Sequence, residues 1–350
     1  MTAIVHPEHP LDPTELDRYL TEGWRPTGQY IYTSDFLRTD DDEIHGCIQL
    51  RLPLANFAFR KRQRKLLNRN GRRFTHVIEP LYAIDEEIRR VNRAYMREHP
   101  EKSRDDIEFQ LFTPEGLRSL DTWIVRVFEG HSLVAFSLFD LGERTMYSKA
   151  GIYDPEYRPF GMGRYTMLLE LRFALERGLT HYHPGYFSPT EPVFNYKLTL
   201  GPTEYHDVLT RQWRPLPHAD GSGITDPLVI VRQRLAEAEA ALVRAGFSRV
   251  YLREYVSYTA NFAMPGGRYL DAPALLYLEM EGGEYQLLLY NLDRQQYELR
   301  LPRWSPTMDM RRKNVSAAGV PRLRVVLWEG ELLASAREAA ALPALVYEYS

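Results

Sequence analysis

Runs of apolar residues predict short strands and helices in the first hundred residues. Asp12 before Pro13, with Glu15 three positions on, is a helix-start signal, and Gly23 can end that helix. The alternating residues Ile48, Leu50 and Leu52 are typical of a half-buried strand. The predicted elements after the first helix are strands at 28–32, 44–54 and 74–78 and a helix at 84–98.

The segment 122–187 has a different pattern. Three alternating runs with tight connections predict an antiparallel meander at 122–128, 133–141 and 145–153. A helix is predicted from Tyr165 to Arg177, and Gly178 is its natural end. With that helix as a crossover, the strand at 179–187 runs parallel to the strand before the helix.

After Trp213 the chain passes through a Pro/Gly-rich linker into a long helix at 227–245. Strands follow from Val250, and 275–280 with 285–292 is the clearest hairpin. The predicted fold class is therefore mixed α+β and α/β, in three regions. These are an N-terminal α+β module (1–84), a central domain (85–215) built on the meander and crossover, and a C-terminal α+β extension (216–350) that carries no recognisable catalytic pattern.

Composition narrows the class of protein. With 44% hydrophobic and 26% charged residues, the 350-residue chain is typical of a globular protein. Cys47 is the only cysteine, which excludes an intrachain disulfide and a cysteine-built metal site. The start of the chain lacks the pattern of a secretory signal, and no apolar run is long enough to span a membrane. These features predict a cytoplasmic protein without a membrane partner.

Charge is distributed unevenly along a chain whose net charge is only −3. The segment 60–73 contains eight Arg or Lys residues and no acid, which suits a phosphate-binding surface or, equally, a solvated helix face. The acids of 40–43 are expected to be solvated. His181 and His183 share one face of a strand, but a third ligand such as His206 would have to come from the fold, so no metal site is predicted.

The most informative motif is the loop from Arg158 to Gly163. It fits Arg/Gln-x-x-Gly-x-Gly/Ala and lies between a predicted strand and a predicted helix. Gly161 and Gly163 would let backbone N–H groups approach a phosphate, and the helix N-terminus adds positive potential. The alternative interpretation is an ordinary glycine turn that caps a helix.

This order of strands, loop and helix resembles the GNAT acyltransferase core. FGMGRYTMLLELRFALERGLTHYHPGYF followed by FNYKLTLGP is also similar to the C-terminal half of arginyl- and leucyl-tRNA–protein transferases. The matching residues are Gly163, Tyr165, Glu170, Gly178, Leu179, Tyr182, Gly185, Tyr186, Tyr196, Lys197 and Pro202. Upstream matches to the same family are Gly23, Arg25, Gly28, Tyr32, Arg62, Gln63, Arg64 and Asn70. The family's N-terminal cysteine pair is absent, and Leu200 stands where the family has Phe.

The resemblance implies transfer of an aminoacyl group from charged tRNA to the N-terminal α-amino group of a protein, with no cofactor. It suggests catalytic candidates, donor-binding residues and tRNA-binding residues. The catalytic candidates are Tyr147, Asp154, Tyr186, Tyr196 and Lys197. The donor-binding residues are Arg158, Gly161, Gly163 and Arg164, and the tRNA-binding residues are Arg60, Lys61, Arg62, Arg64, Lys65 and Arg69. Two alternatives stay open, an N-acyltransferase that uses acyl-CoA and a catalytically degenerate module that binds RNA or protein.

Overall fold

The computed structural model describes residues 2–99, 107–264, 267–280, 283–304 and 315–349. The first part of the chain supplies strands to several sheets rather than to one. Its elements are β1 (Thr2–Val5), α1 (Pro13–Thr21), β2 (Arg25–Thr27), β3 (Tyr30–Ser34), β4 (Phe36–Arg38), β5 (Ile44–Gly46), β6 (Ile48–Pro53), α2 (Lys61–Gly71), β7 (Thr75–Pro80) and α3 (Glu86–Glu98). The capping box predicted for α1 is present, because Asp12 accepts from the Thr14 N–H and Glu15 accepts from the Asp12 N–H.

The middle of the chain builds the central sheet. Its elements are β8 (Thr122–Glu129), β9 (Ser132–Leu141), β10 (Thr145–Tyr153), α4 (Met162–Glu176), β11 (His181–Phe187), β12 (Glu204–Asp207) and β13 (Gln212–Pro215). Strands β8, β9 and β10 pair antiparallel, and β10 pairs parallel with β11 across α4. The predicted meander and crossover are therefore confirmed.

The central sheet also takes strands from the predicted N-terminal module. Within the described residues its order is β13-β12-β6-β11-β10-β9-β8-β7, so β6 and β7 are inner and edge strands of the same sheet. The predicted strand at 44–54 is in fact two strands, since β5 pairs with β4 whereas β6 pairs with β11 and β12. The break falls at Cys47, whose N–H donates to the carbonyl of Asp35. The boundaries at 84 and 215 stay a prediction.

The C-terminal extension forms a second sheet. Its elements are α5 (Pro227–Arg244), β14 (Val250–Tyr255), α6 (Ala260–Ala263), β15 (Ala274–Glu279), β16 (Tyr285–Asn291), β17 (Gln296–Trp304), β18 (Arg322–Leu323), β19 (Leu327–Ala336) and α7 (Leu342–Glu348). Among the described residues the strand order is β18-β14-β15-β16-β17-β19. Leu228, Val231 and Leu235 of α5 share a buried core with this sheet.

The acidic loop between β4 and β5 docks on this extension. Arg322 forms an ion pair with Glu43, and Arg324 forms one with Asp42. The Ala317 N–H also donates to Glu43. The expectation that these acids are simply solvated is therefore wrong for Asp42 and Glu43, whose charges are opposed by arginines distant in the sequence.

A buried ion pair fixes the hairpin of β2 and β3 against the central sheet. The Lys149 Nζ lies 3.1 Å from Asp140 Oδ1 and donates to the carbonyl of Gly28 at 2.7 Å. Gln29 adds a bond from its side-chain amide to the hydroxyl of Thr122. These contacts bring Arg25 and Tyr32, which lie on the hairpin, beside β10.

Candidate active site

Strands β10 and β11 separate soon after they pair. Their parallel register covers Thr145 with His181, Met146 with Tyr182 and Tyr147 with His183. Irregularities follow at once, between Ser148 and Ala150 in β10 and between Tyr182 and Gly185 in β11. The space between the diverging halves, 149–153 and 184–187, is called the wedge below. Its β11 side is largely buried, and Tyr186 is the half-buried residue among 184–187.

The two faces of the sheet at the wedge have different surroundings. Met146 and Tyr182 belong to the core beneath α4. Tyr147 lies on the opposite face with Leu16, Leu20 and Ile31 of the N-terminal region. The wedge therefore opens toward α4 on one side and toward α1 and β3 on the other, because successive residues of a strand point to opposite faces.

Three of the catalytic candidates meet at Gly185. The Lys197 Nζ donates to the carbonyl of Tyr186 at 2.9 Å and lies 4.7 Å from the centroid of that tyrosine's ring. A Cβ at position 185 would lie 3.1 Å from the Lys197 Nζ and 3.5 Å from the Tyr147 hydroxyl. Gly185 also has a φ of +93°, so both geometry and space favour glycine there. Burial raises the pKa of Tyr147 well above its ordinary value, which keeps its hydroxyl protonated.

Tyr196 links this cluster to the start of α4. Its ring centroid is 5.9 Å from the Lys197 Nζ, and its side chain is 37% exposed. Burial raises the pKa of Tyr196 to about 12, with Tyr95 and Glu170 adding to the rise and Arg164 opposing it. The Tyr196 hydroxyl is therefore a proton donor at neutral pH, on the side of the wedge that carries the glycine loop.

The glycine loop lies at the N-terminus of α4, as predicted. Gly161 adopts the left-handed conformation, with φ +64°, and no side chain caps the helix. Arg158 pairs with Glu98 at 2.6 Å on the surface, and Arg164 is exposed. The uncapped N–H groups of the first turn give this end of α4 a positive potential, which suits a phosphate.

The basic helix α2 touches this loop. The carbonyl of Phe160 accepts from Arg69 Nη2 and from Asn70 Nδ2, each at 2.9 Å. All six basic residues predicted to bind tRNA are exposed: Arg60, Lys61, Arg62, Arg64, Lys65 and Arg69. The structure therefore places the predicted tRNA surface and the predicted donor loop next to each other.

Asp154 lies away from Lys197 and Tyr147. It follows the last residue of β10, about 23 Å along the strand from Tyr147 at roughly 3.3 Å per residue. Its carboxylate accepts from the Glu156 N–H at 3.2 Å and lies 3.6 Å from Arg90 Nη1. These contacts make Asp154 a cap for the turn before the glycine loop, so the geometry does not support a place for it among the catalytic groups.

A buried carboxylate, Glu170, lies beneath the wedge. It sits on α4 with no exposed surface, and the Tyr182 hydroxyl donates to its Oε2 at 2.6 Å. Burial raises the pKa of Glu170 to about 7, and the hydroxyls of Ser137, Tyr182 and Ser148 oppose that rise. The sequence match at Glu170 gave no sign of this burial, because a helix pattern does not show which polar residue faces the sheet.

Glu170 makes the stability of the protein depend on pH. Its pKa is raised from 4.5 in the unfolded chain to about 7 in the folded protein, so the folded state holds the proton more tightly. The free energy of unfolding should therefore fall as pH rises from 4.5 to 7, by about 3 kcal/mol at most. Urea unfolding of the wild type and of Glu170→Gln across this range should show a smaller loss in the variant. An equal loss of unfolding free energy in the wild type and in the variant would contradict the assignment of this pH dependence to Glu170.

The histidines of the sheet do not assemble a metal site. His183 and His206 pack against Trp213, with ring centroids 5.6 and 5.1 Å away. Burial lowers the pKa of His206 to about 4. The described residues contain no group of three or more His, Cys, Asp or Glu placed to hold a metal ion.

Arg25 is a site residue that the sequence pattern did not reveal. Its guanidinium is only 2% exposed and lies 4.9 Å from the centroid of the Tyr186 ring. The resemblance included Arg25 only as a match near the start of the chain. Its approach to Tyr186 depends on the docking of the β2–β3 hairpin on the sheet.

A mixed sheet with two parallel strands that diverge beside a glycine loop and helix is the arrangement expected of a GNAT-type core. The family "Arginine-tRNA-protein transferase, C terminus" matches residues 87–207. This finding confirms the resemblance drawn from the sequence. Among the described residues, no helix is long and apolar enough to cross a membrane.

Individual proteins are similar to parts of this chain. An aspartate/glutamate leucyltransferase of Leptospira interrogans is 23% identical over 211 residues, covering 57% of this chain and 77% of the relative. The enzyme of that name from Pseudomonas aeruginosa is 27% identical over 206 residues, covering 58% and 84%. The solved structure of L-PGS from Bacillus licheniformis aligns with a TM-score of 0.33 and 17% identity, covering 54% of this chain and 57% of that one.

Proposed function

We propose that this protein transfers an aminoacyl group from charged tRNA to the N-terminal α-amino group of an acceptor protein. The observation that carries the proposal is the convergence of Lys197, Tyr147 and Tyr186 at the wedge, inside the domain that matches the transferase family. The relatives' name pairs leucyl transfer with aspartate and glutamate. Leucine is therefore the first donor to test, and acidic N-termini are the first acceptors.

The proposed reaction is aminolysis of an ester. The amine nitrogen bonds to the carbonyl carbon of the aminoacyl group, the carbon–oxygen bond to the terminal ribose breaks, and the ribose oxygen takes a proton. An aminoacyl ester is already reactive, so orientation and proton transfer supply most of the acceleration. In this proposal Lys197 stabilises the negative charge on the carbonyl oxygen. Tyr196 or Tyr147 protonates the ribose oxygen, and the proton that the attacking amine loses replaces the one the tyrosine gives up.

The two sides of the wedge receive the two substrates. The tRNA lies along α2, and its acceptor end enters from the side of α4, where the glycine loop of Arg158, Gly161 and Gly163 and the exposed Arg164 face solvent. The acceptor N-terminus enters from the opposite side, near Tyr147. The proposal needs no cofactor and places the protein in the cytoplasm, where charged tRNA is present.

One assay tests this proposal against its rivals. Purified protein is incubated with peptides of defined N-terminus and either a full set of charged tRNAs or acetyl-CoA. We expect label to pass from one or a few charged tRNAs to the peptide, because the basic helix adjoins the donor loop. Transfer from acetyl-CoA alone would favour an N-acyltransferase. Binding of tRNA without any transfer would indicate a degenerate binding module.

A further inference from the structure

Two cations flank one ring on the acceptor side of the wedge. The Arg25 guanidinium lies 4.9 Å from the centroid of the Tyr186 ring and 4.2 Å from that of Tyr32. The Lys197 Nζ lies 4.7 Å from the same Tyr186 centroid. Arg25 is on the face of the sheet that carries Tyr147, away from α4 and the glycine loop. A basic residue with almost no exposed surface is rare in a protein unless it is paired or its hydrogen-bonding groups are satisfied.

The hydrogen-bonding groups of Arg25 are nearly all engaged. Its Nη1 donates to the carbonyl of Ser34 at 3.2 Å, and its Nη2 donates to Cys47 Sγ at 3.4 Å. The Gln49 side-chain oxygen, with the amide turned toward the guanidinium, accepts from both Nη1 and Nε. Four of the five N–H groups of the guanidinium are thus used within the protein. Arg25 cannot grip a substrate carboxylate with two parallel bonds, so it acts on the wedge through its charge.

The described hydrogen bonds of Arg25 go to neutral groups. Burial raises the pKa of Cys47 to about 11, so the thiol is neutral at neutral pH. Asp35, a buried acid whose charge acts on Cys47, is paired with Arg211 by bonds of 2.8 and 2.7 Å. None of the described contacts of Arg25 is with a carboxylate. The titratable and charged groups around it are Cys47, Tyr32, Tyr147, Tyr186, Tyr258, Lys197, Arg38, Asp35 and Arg211.

The positive electrostatic field of Arg25 and Lys197 affects the nucleophile of the proposed reaction, which is the acceptor's α-amino group. A free α-amino group has a pKa of about 7.7–8.0, so at neutral pH most of it is protonated and cannot attack. A neighbouring positive charge disfavours the ammonium form and activates an amine as a nucleophile. We infer that Arg25, together with Lys197, keeps the acceptor's α-amino group in its neutral, nucleophilic form.

This inference rests on the proposed function and makes Arg25 a positioning residue that acts through its field. The acceptor ammonium gives one proton to water as it binds. The neutral amine then attacks the ester carbonyl carbon, and its second proton passes to the departing ribose oxygen. No carboxylate base on the acceptor side is needed.

The test is the pH dependence of transfer at saturating acceptor peptide, which reports groups in the bound complex. Single-turnover rates with charged tRNA are measured between about pH 5.5 and 8.5, a range that brackets the α-amino group. In the wild type the rate should rise with pH. The midpoint of this rise, called the limb below, should lie below the pKa of the α-amino group of the free peptide, which is titrated separately. Arg25→Gln should move this limb upward by about one pH unit or more, and Arg25→Lys should restore much of the shift.

Two further variants keep the test decisive. Lys197→Met removes the second cation and should move the limb in the same direction, which gives an answer even when Arg25→Gln does not fold. Glu170→Gln removes a group that itself titrates near neutral pH. The limb should persist in that variant.

Three outcomes would overturn the inference. The first is a slower Arg25→Gln with the limb unmoved, which would make Arg25 purely structural. The second is a limb that vanishes in Glu170→Gln, which would assign it to that carboxyl. The third is a loss in Arg25→Gln confined to peptides that begin with Asp or Glu, with Asn and Gln peptides unaffected, which would make Arg25 a reader of carboxylates. A wild type that transfers nothing from any charged tRNA is distinct from all three, because it defeats the proposed function itself and this inference with it.

Discussion

Replacing Lys197 with alanine should lower kcat/KM for aminoacyl transfer by about 10²–10³-fold, the usual effect of removing one group that stabilises a developing oxyanion. The Lys197 Nζ lies beside Gly185, where the two strands diverge. Most of the loss should fall on kcat, because the charge it stabilises exists only in the transition state. Initial rates over a range of charged-tRNA concentrations separate kcat from KM.

Two controls accompany this measurement. Thermal unfolding of Lys197→Ala shows whether the loss of its bond to the Tyr186 carbonyl disturbs the fold. Tyr196→Phe keeps the ring and removes the hydroxyl, and it should cost roughly 10²–10⁴-fold in rate if that hydroxyl protonates the ribose oxygen. Tyr147→Phe makes the same test of the tyrosine hydroxyl on the opposite face of the sheet. Activity within a few-fold of wild type in Lys197→Ala would move the active site elsewhere.

The double substitution Arg62→Ala and Arg64→Ala should weaken tRNA binding at low salt by about tenfold or more, because each arginine that contacts a phosphate makes a charge-assisted bond. Both side chains are exposed on α2, beside the glycine loop. Each lost phosphate contact should flatten the plot of log affinity against log salt by about 0.7–0.9. Filter binding or fluorescence anisotropy between low and moderate salt measures both quantities.

A matched control separates this local effect from a change in net charge. Arg249 and Arg294 lie in the C-terminal extension with side chains 60% and 63% exposed. Arg249→Ala with Arg294→Ala changes the charge by the same amount and should leave the salt slope near that of the wild type. Equal slopes in both double variants would remove α2 as the tRNA surface. If the melting temperature falls only in the variant with Arg62→Ala and Arg64→Ala, the loss of tRNA affinity would come from disturbed packing of α2.

The sequence was informative wherever structure depends on neighbours along the chain. The alternating runs of β8, β9 and β10, the helix α4 and the strand β11 follow from periods of two and 3.6 residues, which a sequence displays directly. The glycine loop was placed correctly because its function requires a strand before it and a helix after it. The family was also evident, since its most recognisable stretch, from Gly163 to Pro202, is nearly continuous.

The central sheet shows where local pattern was insufficient. The apolar run from Ile44 to Leu54 looks like one strand, but Cys47 marks the change from the small sheet of β4 and β5 to the central sheet. Nothing local marks this break, because both halves bury apolar side chains. Only the order of strands shows that β6 lies beside β11, at the wedge.

The candidate site, like the fold, was predicted in part from the sequence and in part only from the tertiary structure. Sequence alone indicated the fold class and the family, and it proposed Tyr186, Tyr196 and Lys197 as site residues, which lie close together along the chain. Tertiary structure decided that Arg25 reaches Tyr186, that Glu170 is buried against Tyr182, and that Asp154 caps a turn away from the cluster. These contacts join residues far apart in the chain, and they depend on strand order, register and the docking of the β2–β3 hairpin. A periodic pattern specifies which face of an element is buried, but it does not specify what that face meets.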